Sequence, residues 1–70
     1  MEIRYDKDAD AMYIKLRDGI FAENRKIDDF TILDFDKDSN LLGIELLFVS
    51  KRMPAESLKK VYVKNMLAVN

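Results

Sequence analysis

The sequence lacks the residue types on which most small-domain chemistry depends. Its 70 residues contain no cysteine and no histidine. Disulfides, thiolate zinc sites and the commonest general base near neutral pH are therefore excluded. Glycine occurs only at 19 and 43, which excludes a glycine-rich phosphate loop. No histidine is present to activate a serine or threonine hydroxyl, so carboxylates remain the only candidates for catalytic chemistry.

Long hydrophobic runs and an excess of one charge sign are also missing. The longest apolar run, 46–49, is far too short to cross a bilayer. The first ten residues carry acids and no signal-peptide core, so we expect a cytoplasmic protein without a membrane partner. The net charge is −1 with 36% charged residues, which gives no global attraction to nucleic acid.

A twelve-residue segment that occurs twice is the strongest feature present. Residues 5–16 read YDKDADAMYIKL and residues 35–46 read FDKDSNLLGIEL, with five identical positions. Each copy has an aromatic residue, an Asp-rich stretch and then an apolar run of period two, the pattern of strand, turn and strand. The repeat therefore predicts two related β-hairpins, with Asp6–Asp10 and Asp36–Asn40 as their turns.

Side-chain alternation predicts strands at 2–5, 11–17, 30–36 and 41–49. Residues 20–27 alternate weakly and form either a loop or an exposed edge strand. The strand at 41–49 is apolar on both faces, broken only by Gly43 and Glu45, and should be buried on both.

The tail predicts a helix, because Pro54 suits a first helical turn and apolar residues follow at helical spacing. The alternative is a short helix ending near Lys60, followed by extended VYVKN. We therefore predict one α+β domain over 1–70. It consists of a small antiparallel sheet of two β-hairpins (core sheet 2–52) followed by a C-terminal helix (helical extension 53–70).

The small core favours association. A domain of this size rarely gains more than ~3–5 kcal/mol from its core, and no cysteine is available to strengthen it. We expect a homodimer that buries Leu47, Val49 and part of the apolar stripe at 58–67. The two halves of the chain differ in charge, with a net of −4 over residues 1–40 and +3 over residues 41–70, so they could meet across a dimer.

The acidic turns are the candidates for a metal site. Each copy of the repeat follows the first half of a calcium-loop pattern, through Asp6, Asp8 and Asp10, and then through Asp36, Asp38 and Asn40. The rest of the pattern fails, since Gly is missing at the sixth position and Glu at the twelfth. We expect solvated hairpin turns and no metal or other cofactor, with a looser site at Asp36, Asp38 and Asn40 as the alternative.

Four residues near the end of the last strand are candidates for binding a partner. Glu45 is a charge within an apolar strand, and either pairs with a Lys or Arg of a neighbouring strand or contacts a ligand. Ser50, Lys51 and Arg52 are polar and basic at a predicted sheet corner. They either cap the strand or bind an acidic partner or phosphate.

The chain resembles a family of small bacterial and archaeal proteins, the domain of unknown function DUF2283. A Tyr-Asp-x-x-Ala-Asp-Ala-x-Tyr-Ile pattern, a Gly-Ile-Glu pattern and a Ser-Lys-Arg pattern are matched at 5–14, 43–45 and 50–52. The resemblance covers residues 2–52 and implies a small antiparallel sheet with no established activity. Where the family often has glycine in the second turn, this chain has Asn40 and Leu41, which leaves the turn type open.

Members of that family also resemble the partner half of small two-gene modules, some of which are thought to pair a toxin with an antitoxin. The leading interpretation is therefore a non-enzymatic interaction module, such as an antitoxin-like partner of a small protein. The alternative is a carboxylate-dependent enzyme that uses the acidic turns to bind a metal or a phosphate ligand.

Overall fold

One antiparallel sheet contains most of the chain. The structure, a computed structural model, describes residues 1–60. Its strands, in chain order, are β1 (Glu2–Asp6), β2 (Ala11–Lys15), β3 (Glu23–Asp28), β4 (Thr31–Phe35) and β5 (Leu41–Leu47). They are arranged β1-β2-β5-β4-β3, and every neighbouring pair is antiparallel.

A short C-terminal segment follows the sheet. A 3₁₀ turn at Val49–Lys51 leads to a helix over 55–60. The helix begins just after Pro54, whose carbonyl accepts a hydrogen bond from the Leu58 N–H at 3.1 Å. This position agrees with the role predicted for Pro54 in the first turn. The choice between helix and strand for 61–70 lies outside the described residues.

The two Asp-rich segments are hairpin turns, as the repeat predicts. In the first, Asp6 Oδ1 accepts hydrogen bonds from the Asp8 and Ala9 N–H groups at 3.0 and 3.1 Å. In the second, Asp36 Oδ1 accepts from the Asp38 and Asn40 N–H groups, both at 2.9 Å. These local bonds are the reason that Asp favours turns.

The repeat gives the sheet an approximate twofold symmetry. The second strands of the two copies, β2 and β5, lie side by side at the centre of the sheet. Ile14 pairs directly with Ile44, its equivalent thirty residues later. Met12 pairs with Leu46 on one side of this pair, and the Leu16 N–H donates to the Leu42 carbonyl at 2.8 Å on the other. A local twofold axis therefore passes between Ile14 and Ile44.

The sheet contains three hairpins, so the prediction of two was incomplete. The weakly alternating segment at 20–27 contributes β3, an edge strand that pairs with β4. All six residues of β3 are exposed, and four of them are charged. Apolar and polar residues alternate along a strand when one of its faces is buried, so a strand that is exposed on both faces shows little alternation. Charges along such an edge also discourage pairing with another chain.

The last strand ends two residues earlier than predicted. β5 stops at Leu47 because Phe48 adopts a left-handed conformation with φ of 53°. The chain then turns back, and the Val49 N–H donates to the Asp10 carbonyl at 3.0 Å. Val49 is fully buried, with 0% exposure. The expectation that a dimer buries Val49 is therefore wrong, because the chain buries it by itself.

The two faces of the sheet differ in character. One, the apolar face, carries the aliphatic pairs that surround Ile14 and Ile44. Among residues 1–60, the buried apolar core consists of Met12 (3% exposed), Leu42 (5%) and Val49. The opposite side, the polar face, carries alternate residues of all five strands, among them Arg4, Tyr13, Lys15, Lys26, Ile32, Asp34, Gly43, Glu45 and Leu47.

Gly43 allows the Tyr13 ring to lie across β5. A Cβ at position 43 would overlap the Tyr13 hydroxyl and ring, and would lie 2.9 Å from the Ile14 carbonyl oxygen. Gly43 is itself buried, and the ring reaches across it towards Asp34 on β4. The glycine of the Gly-Ile-Glu pattern is thus a packing requirement of the polar face.

We predict that Gly43→Ala destabilises the fold by about 1–3 kcal/mol, the usual cost of overpacking a filled site. The matched control is Gly19→Ala, whose Cβ would meet only the flexible Leu42 side chain. Urea denaturation measures both free energies of unfolding. The cost at position 43 should fall in a Tyr13→Ala background, and an equal cost in both backgrounds would contradict this packing account.

Candidate interaction surfaces

Asp10 links the first acidic turn to the Ser-Lys-Arg segment, forty residues away in the chain. Its carboxylate accepts hydrogen bonds from the Ser50 N–H at 3.0 Å and from the Ser50 hydroxyl at 2.7 Å. The Tyr5 hydroxyl donates to the same carboxylate at 3.3 Å. Asp10 also has a left-handed backbone, with φ of 53°, which aspartate tolerates better than most residues.

These contacts keep Asp10 ionised. The hydrogen bond from the Ser50 hydroxyl is the largest cause that lowers the pKa of Asp10, assisted by the Ser50 N–H, the Tyr5 hydroxyl and the charge of Lys51. Partial burial acts in the opposite direction and is outweighed. The pKa of the Tyr5 phenol is raised, first by its burial and then by the neighbouring Asp10 charge.

Arg52 holds the β3–β4 turn to the end of the sheet. Its guanidinium donates to the Phe30 carbonyl at 2.5 Å and to the Thr31 hydroxyl at 2.7 Å. The Leu47 N–H also donates a hydrogen bond to the Phe30 carbonyl of this turn, at 2.8 Å. Beside it, the Phe30 and Phe48 rings pack edge to face with their centroids 5.1 Å apart. Two of the predicted partner-binding residues, Ser50 and Arg52, are thus engaged within the fold, whereas the Lys51 side chain is exposed.

A shallow depression lies on the side of the sheet that carries Tyr5. It has a volume of about 270 Å³ and is lined by Tyr5, Lys7, Ser50, Ala55, Leu58 and Lys59. We call it the lysine-lined depression. Only Ser50 of this set was predicted as a binding residue, because the lining comes from segments more than forty positions apart. The basic excess after residue 40 was the only sequence signal for it.

Glu45 occupies the middle of the polar face, and within residues 1–60 it forms no ion pair with a neighbouring strand. Its cross-strand neighbours are Tyr13 on β2 and Ile32 on β4, neither of which is a cation. The ion pairs formed within residues 1–60 join Arg4 to Glu2, Lys15 to Asp18 and Arg25 to Glu23. Glu45 is nevertheless half-buried.

Tyr13 is the aromatic neighbour of Glu45. Burial, and then the charge and hydrogen bonding of Asp34, raise the pKa of the Tyr13 phenol. The ring therefore stays protonated at neutral pH and donates towards Asp34. The centre of the polar face is acidic, since it combines Glu45 and Asp34, while cations lie on the strands to either side.

The acidic turns lie at opposite ends of the sheet. Ala11 pairs with Leu47 and Lys15 with Gly43, so the turn before β2 and the turn before β5 are separated by the full strand length. Among residues 1–60, no three acidic side chains converge as a metal-binding group. The Asp36 carboxylate accepts three hydrogen bonds from Asp38 and Asn40 within its own turn. These bonds, led by that of the Asn40 side chain, lower the pKa of Asp36.

Comparison with known proteins identifies the family. A family model described as "Protein of unknown function (DUF2283)" matches residues 2–50, and the chain belongs to this family. No curated protein and no solved structure matches it. Within the residues described, no helix has the length and apolar character needed to cross a membrane. The family assignment agrees with the resemblance seen in the sequence and supplies no activity.

The structure explains why several residues of the family patterns are present. Tyr5, Asp10 and Ser50 form one hydrogen-bonded link, and Tyr13 packs over Gly43. In the second turn the left-handed position is taken by Ser39, with φ of 65°, so this chain turns there without a glycine.

We predict a pH-dependent cost for Ser50→Ala. Because the folded-state pKa of Asp10 lies below its ordinary value of 3.8, its ionised link stabilises the fold above that pH. The contribution is lost as the pH falls through the lowered folded-state pKa. The thermal midpoint of the variant should therefore fall below that of the wild type at pH 7, and the difference should shrink in acid. Ser57→Ala, in the exposed helix, is the control, and a difference that is constant with pH would contradict this account.

Proposed function

We propose that this domain is a non-enzymatic interaction module that works as a homodimer and holds a small partner protein, in the manner of an antitoxin. The half-buried Glu45, which has no cation beside it within residues 1–60, is the observation that carries the proposal. It lies on a broad sheet face that also presents half-buried Tyr13, Ile32 and Leu47. Aromatic side chains are enriched in interfaces between folded proteins, whereas charges at their centres are depleted and need a partner, so Glu45 would require a cation from the other chain.

The order of residues across the polar face favours a second copy as one occupant. A row crosses the sheet in the order Arg4, Tyr13, Glu45, Ile32 and Lys26, one residue from each strand. Glu45 and Lys26 flank Ile32 on its two sides. A twofold axis running along β4 at Ile32 would place Glu45 of each copy opposite Lys26 of the other. The two Ile32 side chains would then meet at the centre, so the face is self-complementary.

The size of the face fits a weak dimer. An axis along β4 brings only β5, β4 and β3 of the two copies into contact. With strands ~4.8 Å apart and a rise of ~3.4 Å per residue, these strands span roughly 14 Å by 20 Å. Two such faces bury on the order of 700 Å² once side-chain relief is included, which is below the usual size of a specific interface and typical of weak contacts. Buried area alone does not set affinity, and with both Glu45–Lys26 pairs formed we expect a micromolar dissociation constant.

The enzymatic alternative receives less support from the geometry. An active site requires catalytic groups that converge in a concave site. The acidic turns lie at opposite ends of the sheet, and the carboxylates of Asp6, Asp36 and Asp10 accept hydrogen bonds within the fold. The lysine-lined depression, at about 270 Å³, is smaller than most small-molecule pockets, which occupy ~300–1,000 Å³.

We predict that charge reversal at either member of the proposed pair weakens the dimer and that the double reversal restores it. Glu45→Lys and Lys26→Glu should each raise the dimer dissociation constant at least tenfold, because each places like charges opposite one another. The combination of the two should recover most of the loss. Sedimentation velocity across a concentration series measures the dissociation constants.

Leu47→Lys provides a second test on the same face. We expect a monomer of lower stability, whereas Ile20→Lys, at an 87% exposed loop position, should leave association unchanged. The thermal midpoint of the wild type should rise with protein concentration. A folded wild-type monomer at micromolar concentration, with a midpoint independent of concentration, would overturn the dimer.

The partner is tested separately, by native affinity capture and mass spectrometry on the source organism. We predict a small protein recovered in fixed stoichiometry that rebinds the domain when both are purified. Capture on the Leu47→Lys variant shows whether dimerisation is needed for this binding. Recovery of the domain alone, with no purified protein that rebinds it, would contradict the proposed partner.

A further inference from the structure

The loop between β2 and β3 contains the one Asp-Gly step of the sequence, at Asp18 and Gly19. Main-chain hydrogen bonds hold the loop on either side of this step, and the nearer one joins the Arg17 N–H to the Leu42 carbonyl at 3.3 Å. Within residues 1–60, no backbone hydrogen bond engages an N–H group of residues 18–21. The Asp18 side chain is 93% exposed. Its carboxyl group and the Gly19 nitrogen are therefore accessible both to each other and to water.

An accessible Asp-Gly step rearranges without a catalyst. The Gly19 nitrogen attacks Cγ of Asp18, a Cγ–N bond forms, and the carboxyl hydroxyl leaves as water, which gives a five-membered succinimide ring. Glycine favours this attack because it has no Cβ to hinder the approach. Water then opens the ring at one of its two carbonyls. Opening at Cγ restores aspartate, whereas opening at the former main-chain carbonyl gives isoaspartate, whose mass equals that of the original chain.

The acidic turns show how the fold restrains the same reaction elsewhere. After Asp38, the next N–H group, that of Ser39, donates to the Asp36 carbonyl at 3.1 Å. After Asp8, the Ala9 N–H donates to a carboxylate of its own turn, also at 3.1 Å. A nitrogen whose N–H is held in a hydrogen bond must break that bond before it reaches the carboxyl group beside it. The Gly19 nitrogen has no such bond to break.

Lys15 slows the reaction at Asp18. Its Nζ atom lies 2.7 Å from Asp18 Oδ1, and this hydrogen bond, together with the lysine charge, lowers the pKa of Asp18. Ring closure proceeds from the neutral carboxylic acid, since a carboxylate has no hydroxyl group to lose as water. The ion pair therefore reduces the reactive fraction. Both side chains are exposed to solvent, so the pair is weak and the neutral acid is still formed.

We propose that Asp18 is a site of covalent modification, where the linkage to Gly19 converts to isoaspartate in the folded protein at a rate limited by Lys15. The product adds one carbon to the main chain within a loop that belongs to no strand, so the sheet keeps its pairing. Its carboxylate is the group to which protein isoaspartyl methyltransferases transfer a methyl group from S-adenosylmethionine. The modified chain is thus a substrate for that class of repair enzyme. The inference is independent of the proposed dimer and partner.

The test follows isoaspartate in the purified full chain during incubation at pH 5, below the thermal midpoint. Chromatography separates the tryptic peptide that covers residues 18–25 from its isoaspartyl form of equal mass. Methyl transfer by a protein isoaspartyl methyltransferase measures the modified fraction independently. We expect isoaspartate to accumulate at Asp18. Asp18→Glu keeps the charge and should remove most of the methyl acceptance, because its ring would need six members and closes far more slowly.

Ser39→Gly separates the effect of the fold from that of the Asp-Gly sequence. Position 39 already has φ of 65°, which glycine adopts readily, so the variant should fold. It carries a second Asp-Gly step after Asp38, with its N–H held by the Asp36 carbonyl. In the folded variant we expect isoaspartate at Asp38 to form about tenfold more slowly than at Asp18, since that hydrogen bond must break first. In urea the two rates should become similar.

Lys15→Gln tests the role of the ion pair. Loss of the pair raises the pKa of Asp18 towards its ordinary value, so the rate at pH 5 should rise about twofold or more. The rates of the variant and the wild type should converge as the pH falls through the lowered pKa, where both carboxyl groups become neutral. A general loosening of the loop would instead persist in acid. Lys37→Gln is the control and should leave the rate unchanged.

Three results would overturn the inference. These are equal rates at Asp18 and Asp38 in the folded Ser39→Gly variant, methyl acceptance that survives Asp18→Glu, and equal rates in the Lys15→Gln and Lys37→Gln variants. Circular dichroism before and after incubation verifies that each chain is folded. Because none of these measurements depends on association, they are distinct from the tests of the dimer and of the partner.

Discussion

The antiparallel pairing of β2 with β5, with Ile14 opposite Ile44, is the constraint on which the rest of the structure depends. Because the two strands are equivalent parts of a repeat, this register brings the two hairpins together about a local twofold axis. It sends the two acidic turns to opposite ends of the sheet, so their carboxylates cannot act together. It also places the end of β5 beside the first turn, where Asp10 meets Ser50. The positions of both acidic turns relative to the Ser-Lys-Arg segment follow from that single register.

The Asp10–Ser50 contact requires residues on both of its sides to adopt unfavourable backbone conformations. Asp10 and Phe48, on the two sides of the contact, both have left-handed backbones, which costs of order 1–3 kcal/mol for a non-glycine residue. The hydrogen bonds from Ser50 to Asp10 and the full burial of Val49 offset that cost. In return the chain reverses direction after β5 and the helix comes to lie near Tyr5. The lysine-lined depression exists only because this reversal brings Lys59 to the same side as Lys7.

Much of the sheet could be predicted because its signals are local. The Asp-rich turns and the alternation through Met12 and Ile14 identify two hairpins from neighbouring residues alone. The edge strand β3 could not be assigned with the same clarity, since its exposure removes the apolar alternation that marks a half-buried strand. The left-handed backbone of Phe48 could not be predicted, because phenylalanine disfavours this conformation and only contacts with distant parts of the chain enforce it. For the same reason the sequence could suggest Ser50 as a binding residue but could not reveal Asp10 as its partner.

The residues of the family patterns divide into those that build the fold and those that remain available for binding. Tyr13, Gly43, Ser50 and Arg52 have their contacts within the chain, so changing them tests stability before it tests binding. Glu45 differs from them, since it belongs to the Gly-Ile-Glu pattern and yet has no cation beside it within residues 1–60. Among these residues Glu45 is the half-buried carboxylate whose cross-strand neighbours, Tyr13 and Ile32, carry no positive charge. Substitution at Glu45 therefore tests the proposed association more directly than substitution at the residues whose contacts build the fold.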